Sequence, residues 1–243
     1  MSTGHAPESH RAGERRGRGA DASPPAIQAI FAGIANRYDL ANHLLSGGLD
    51  YLWRRRAARL VRGWAPARIL DLATGSGDLA LTLARACPDS LVVGADFCAP
   101  MLAIAREKGL RRLVVADGLR LPFADETFDL VSVAFGLRNM ASWSAALLEM
   151  HRVLRPGGHL LVLDFSVPEP PLAWVYRPYL HHVLPWLAAL LTGERSAYEY
   201  LGDSIERFPH GQAMRELLHG CGLRDAIAEP LSGGIVSLYT AKR

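Results

Sequence analysis

The chain has 243 residues, 49% of them hydrophobic, enough to bury one good core, and α/β folds of this size are commonly a single domain. Its net charge of +3 rests on arginines, with Lys108 and Lys242 the two lysines, so the surface is too mildly basic to demand nucleic acid or anionic lipid. Cys87, Cys98 and Cys221 are isolated, without CxxC spacing or clustered histidines, which points to a reducing cytoplasm and to no structural metal.

Residues 1–25 are rich in Gly, Arg, Ser and Pro and lack an apolar h-region. They read as a disordered tail and not as a secretory signal, and Glu8, Glu14 and Asp21 speak against a transit peptide. No uninterrupted apolar run reaches the roughly 18 residues of a membrane span. The expectation is a soluble or peripheral protein whose single domain covers 26–243.

Helix signals follow at Ile27 to Tyr38 and Asp50 to Gly63, inside an N-terminal helical cap at 26–66. The second helix carries Arg54, Arg55, Arg56, Arg59 and Arg62, which read as a solvated face. The pattern then changes to short, β-branched, nearly continuous apolar runs: Arg68 to Ala73, "SLVVGAD", "RLVVAD", "FDLVSVAF" and "HLLVLDF". Such runs predict strands buried on both faces. Helices are expected between them at Asp78 to Ala86, Pro100 to Lys108 and Trp143 to Leu154, with "LRPGG" as a helix stop and turn. Strand and helix in alternation predict a parallel sheet with right-handed crossovers. Residues 166–208, with Pro168, Pro170, Pro171, Pro178 and Pro185 among apolar side chains, read as a lid insertion. A helix from Gly211 to His219 and two strands about Gly233-Gly234 close the chain. The adjacent His181 and His182 would point apart on a helix and make a poor metal pair.

"GSGDLA" (Gly75 to Ala80) fits G-x-G-x-x-A, and Asp96 ends the next strand where a ribose-binding acid belongs. A nicotinamide dinucleotide therefore stays open at this point. Charge separates the readings: a pyrophosphate wants bare amides, whereas Asp71 precedes this loop and Asp78 opens its helix. S-adenosylmethionine, with a sulfonium, an amino group and two ribose hydroxyls, suits such acids better. The third strand ends at Asp117-Gly118, so three successive strand ends line one crevice. Taken singly, Asp71, Asp78 and Asp96 are ordinary loop and cap residues.

"DLATGSGDLA", "LPFADETFDLVSVAFGLRNM", "HRVLRPGGHLLVLDFS", "YDLANHLLSGGLDYLW" and "YLGDSIERFP" resemble the ubiquinone/menaquinone biosynthesis C-methyltransferases over nearly all of the chain from Ile27 onward. The resemblance implies a class I, Rossmann-like methyltransferase fold, a mostly parallel seven-stranded sheet with a C-terminal hairpin. It implies C-methylation of a polyprenylated quinol from S-adenosylmethionine, the quinol being a demethylmenaquinol, a methoxy-polyprenyl-benzoquinol or both, and the likeness of "LSGGLDYLWRRRA" and of the short N-terminal region to menaquinone-branch members favours the menaquinone branch. The cofactor set expected is Asp71, Thr74, Gly75, Gly77, Asp96, Phe97, Asp117, Gly118 and Ala134. Ala134 stands where the family often has Ser, Asp117-Gly118 where it has Asn-Ala, Asp50 where many members have His, and Asp164 where Glu is typical.

Ring methylation needs an electron-rich carbon. A phenolate supplies it, and a phenol pKa of about 10 makes deprotonation the difficult part. Arg138, with Asn139 beside it, sits at the right edge to stabilise that charge, the alternative being a salt bridge that anchors the next helix. Tyr38 or Asp39 is the candidate proton acceptor, with Asp164 as the alternative. The apolar stretch Pro171 to Gly193 suits an isoprenoid tail or a bilayer interface, at about 0.8 kcal/mol per buried CH2, or else the core of the helical lid or a homodimer contact. Nucleic acid is not expected. An NAD-linked oxidoreductase and a non-catalytic scaffold are the competing functions.

Overall fold

The computed structural model describes residues 46–184, 186 and 195–243. The expected tail, the helix over Ile27 to Tyr38, and Asp39 lie outside those residues.

Helix α1 (Leu49–Trp64) buries Asp50, Trp53, Arg54, Ala57, Ala58 and Val61. These recur every three or four residues, the stripe of an amphipathic helix. Strand β1 (Arg68–Leu72), α2 (Asp78–Ala86), β2 (Leu91–Asp96), α3 (Ala99–Glu107), β3 (Leu113–Val115) and β4 (Phe128–Ala134) follow in alternation. A 3-10 turn at Leu137–Asn139 leads into α4 (Trp143–Val153) and β5 (Leu154–Phe165). After β5 come α5 (Leu172–Pro178), a π turn (Tyr179–Val183), α6 (Arg195–Arg207) and α7 (Gln212–Gly220). Strands β6 (Arg224–Leu231) and β7 (Val236–Lys242) end the fold, joined by a turn at Ser232–Gly234.

The seven strands form one sheet in the order β3-β2-β1-β4-β5-β7-β6. β1 pairs in parallel with β2 and β4, and β5 is antiparallel to β7, as the sequence predicts. β1 is buried at four of its five residues, and its side chains feed both layers. Leu70 and Leu72 join Val131, Met150 and Phe208 on one face, while Ile69 joins Val61, Leu83 and Leu130 on the other. Burying such a side chain is worth about 1.5–3 kcal/mol, so two dry faces hold the central strands in place.

"LRPGG" differs from expectation. The chain does not turn out of the sheet after α4 but enters β5 at Leu154, opposite Phe128, and resumes pairing at His159 opposite Leu130. The intervening residues bulge, with Gly157 at φ 76°. Gly157 N donates to Arg243 O at 3.0 Å and Arg243 N donates to Gly158 O at 3.0 Å, which gives the bulge its backbone partners.

The insertion after β5 has a small core of its own, in which Val167, Ala173, Tyr176, Leu180, Leu184 and Ile205 pack together. His181 reaches Glu206 Oε2 at 3.2 Å and so ties the π turn to α6. Leu172 lies against Gly233, which seats the insertion beside the β6–β7 turn. No helix among the described residues is long and apolar enough to cross a membrane.

Candidate active site

The site forms where β1, β2 and β4 end. β1 stops at Leu72, and the chain turns through Ala73 (φ 49°) and Gly75 (φ 54°) before α2 begins. Asp71 lies beneath this loop, wholly buried. It accepts a hydrogen bond from Thr74 Oγ1 at 2.7 Å and another from Ser132 Oγ of β4 at 2.7 Å. Burial pushes its pKa up to about 6, against the opposing pull of the Thr74 and Ser132 hydroxyls.

Asp96 at the end of β2 fixes the loop from the other side. Its Oδ2 accepts from Gly75 N at 2.8 Å and its Oδ1 from Cys98 N at 2.9 Å. With the amides of Gly75, Cys98 and Phe97 as donors, the carboxylate keeps acceptor capacity for a ribose hydroxyl. Burial raises the Asp96 pKa, while the backbone donors of Cys98, Gly75 and Phe97 oppose the shift.

Gly136, just after β4, is required by a close approach. A Cβ there would stand 2.4 Å from the Cβ of Ala73. The loops after β1 and β4 therefore touch through backbone, and a cleft opens above their junction.

Asp71, Thr74, Gly75, Asp96, Phe97 and Ala134 of the expected cofactor set line that cleft, and Asn139 reaches it from the loop after β4. Gly77, Asp117 and Gly118 are not among its lining residues. Gly77 instead lets α2 pack on α3, since a Cβ there would meet Ala105 Cβ at 3.1 Å. Asp117 is exposed and accepts from Leu119 N at 2.9 Å, as a turn residue does. Gly118 is covered by the Met140 side chain.

Arg138 and Asp164 form a buried pair beside the cleft. Arg138 Nη1 donates to Asp164 Oδ1 at 2.7 Å and also to Phe135 O. Asp164 is 0% exposed and accepts from Phe165 N at 2.9 Å as well. Burial drives the Asp164 pKa up and Arg138 holds it down. Asp164, given as the alternative proton acceptor, is enclosed here, with its oxygens facing Arg138 and backbone amides. The salt bridge expected as the plain reading of Arg138 is present, and it runs to β5. Arg138 Nε is buried without a hydrogen-bond partner among the described residues. The guanidinium lies 5.2 Å from the Phe165 ring centre, and Phe165 is 4.8 Å from Phe135. Trp53 completes an aromatic wall at 6.1 Å from Phe135.

Arg54 is the lining residue that counting charges along α1 misses. It is 8% exposed and faces the cleft, paired with Asp50 and 3.6 Å from Asp78 Oδ2. Arg55, Arg59 and Arg62 are exposed, and Arg56 pairs with Glu229 at 2.8 Å. The signal was available in the register: Arg54 follows Trp53 and Asp50 on the stripe that carries Ala57 and Val61.

An acid with acceptor capacity left at the end of β2, a glycine loop and paired charges at the start of α2 fit S-adenosylmethionine. Together with the β3-β2-β1-β4-β5-β7-β6 sheet, they define a class I S-adenosylmethionine-dependent methyltransferase. Solved structures of that class share the fold. A possible histamine N-methyltransferase from Thermotoga maritima superposes with a TM-score of 0.63 at 19% identity, covering 88% of this chain and 98% of its own. Human N-acetylserotonin methyltransferase in complex with S-adenosylmethionine gives 0.59 at 18% identity, covering 88% and 58%.

The chain belongs to the ubiE/COQ5 methyltransferase family, which it matches over residues 19–243. It is 49% identical to a demethylmenaquinone methyltransferase of Thermus thermophilus over 222 residues, 88% of this chain and all of the relative. It is 40% identical to a ubiquinone/menaquinone biosynthesis C-methyltransferase of Geobacter sulfurreducens, covering 89% of this chain and 88% of the relative. That membership sets aside both the nicotinamide and the scaffold readings.

Proposed function

We propose that this enzyme C-methylates the ring of a polyprenylated quinol in the menaquinone branch, converting a demethylmenaquinol to the menaquinol. The observation that carries the reading is the 49% identity to the Thermus relative across that protein's whole length. S-adenosylmethionine supplies an electrophilic methyl group on a sulfonium. Thr74, Gly75, Asp96 and Phe97 hold it at the ends of β1 and β2.

The quinol ring stacks against Phe135 and Phe165, where the Arg138 guanidinium stabilises the phenolate. Asn139 supplies a further hydrogen bond. Asp164 orients Arg138. Tyr38 or Asp39 takes the hydroxyl proton, as an acceptor outside the described residues. Exposed Trp174, Val175 and Trp186, at 72%, 71% and 60%, rest against the isoprenoid tail and the cytoplasmic face of the bilayer. The same proposal includes one domain over 26–243.

The test is conversion of reduced demethylmenaquinone and of a reduced methoxy-polyprenyl-benzoquinone in detergent, read by mass spectrometry of the extracted quinones. A gain of one ring methyl on the first substrate alone is the expected result. Methylation of the second alone would move the enzyme to the ubiquinone branch, and methylation of neither would refute a quinol substrate.

A further inference from the structure

We infer that Arg54 receives the carboxylate of the cofactor's amino-acid end, held in place for that purpose by Asp50. The inference rests on S-adenosylmethionine as the cofactor and adds a binding residue outside the glycine corner.

Position is the first argument. β2 and β4 flank β1 on opposite sides. Asp96, which suits the ribose, ends β2, while the Arg54 guanidinium lies 5.9 Å from the ring centre of Phe135, immediately after β4. A cofactor with its ribose at Asp96 and its chain across the glycine loop brings its far end to Arg54.

Donor geometry is the second. Arg54 Nη1 is taken by Asp50, itself 3% exposed. Nη2 is 3.6 Å from Asp78 Oδ2, beyond hydrogen-bond length, and Asp78 Oδ1 is already bonded to Lys108 Nζ at 2.7 Å. Among the described residues, neither Nη2 nor Nε of Arg54 donates a hydrogen bond. One side of the guanidinium fork is thus anchored at Asp50, while the other, within ion-pair range of Asp78, makes no hydrogen bond and borders the cleft, where it can donate to a carboxylate.

Charge is the third. Charges of both signs meet at this corner, Asp50 and Asp78 beside Arg54 and Lys108 beside Asp78. A zwitterionic amino-acid head brings both signs as well. A buried ion pair on the apolar stripe of α1 gains little stability by itself, because desolvation offsets attraction. A ligand that takes the Arg54 donors left without a hydrogen bond gives the pair a use beyond stability.

The experiment compares two ligands by titration calorimetry: S-adenosylhomocysteine and 5′-methylthioadenosine, which keeps adenosine and sulfur but lacks the amino-acid end. Arg54→Met should raise the S-adenosylhomocysteine Kd roughly 10- to 150-fold, the worth of a charged hydrogen bond, and leave methylthioadenosine within about twofold. Arg54→Lys, which keeps the charge without the fork, should fall between. Equal losses for both ligands, or no loss for S-adenosylhomocysteine, would overturn the assignment. If Arg54→Met binds neither ligand, the pair Asp50→Asn with Arg54→Met removes the stranded buried carboxylate and decides the matter. Methylthioadenosine binding regained with S-adenosylhomocysteine still weak supports the role, and any other result from the pair refutes it. A wild-type protein that fails to bind S-adenosylhomocysteine would remove the cofactor assignment itself.

Discussion

Gly136→Ala isolates a single atom pair. Gly136 has φ −111° and ψ −32°, which alanine adopts freely, so the substitution tests space and not backbone conformation. The new Cβ would stand 2.4 Å from Ala73 Cβ, while its other neighbours, Val133 Cγ2 at 3.5 Å and Ala73 O at 3.7 Å, are at ordinary contact. Neither Cβ can rotate away, so the loops after β1 and β4 must part by about 1 Å to reach carbon contact distance. Overpacking of this kind costs about 1–3 kcal/mol. For a chain of this size that is a fall of roughly 2–12 °C in Tm. Ala73 has φ 49°, where glycine is the less strained residue, so Ala73→Gly alone should change stability little. In the double variant the clash is gone, and most of the loss should return. The assay is urea unfolding of all four proteins, with S-adenosylhomocysteine affinity measured in parallel. A double variant as unstable as Gly136→Ala alone, or a neutral Gly136→Ala, would refute the close approach as the reason for glycine.

Asp96→Ala deprives the amides of Gly75 and Cys98 of their acceptor and should weaken S-adenosylhomocysteine binding roughly 5- to 150-fold by calorimetry. Arg138→Ala strands Asp164 in the interior, so chemical denaturation should show a loss of about 3–5 kcal/mol, and at temperatures where the variant is folded turnover should fall more than cofactor affinity. Asp71 gives a pH signature: between about pH 4 and 6 the folded chain retains a proton that the unfolded chain releases, so this group's contribution to stability falls as pH rises. Relative to Asp71→Asn, wild-type stability should decline by about 3 kcal/mol across that window and run parallel above it. A constant difference from pH 4 to 8 would contradict the buried environment of Asp71.

Much of this architecture is readable from local pattern. β1, β2 and β4 announce themselves as β-branched runs without polar alternation because helices cover both sides of the sheet. The glycine corner and Asp96 are legible because their conformational and positional demands fall on consecutive residues. The unread parts depend on contacts between distant segments. Nothing near Gly136 reveals that Ala73 lies against it, and nothing near Asp71 reveals that Ser132 donates to it. Asp164 reads as an available acid until the fold brings Arg138 to it and buries both. Arg54 is a different case, since charge composition makes it one arginine among several, and its register with Asp50 and Trp53 marks it as inward-facing.

The place of β7 between β5 and β6 bears on how the protein is made. A ribosome delivers β5 well before β7, and Leu163 must wait for Leu238 to close its edge. At roughly 5–20 residues per second the wait is on the order of 4–15 s. Throughout it, β5 has an unpaired edge, and Asp164 lacks the neighbour Ser237 that its register assigns to it. Synthesis therefore leaves the β5 edge of the sheet open until its last strand emerges. Slower translation between β5 and β7 should lengthen the period in which the nascent chain depends on chaperones.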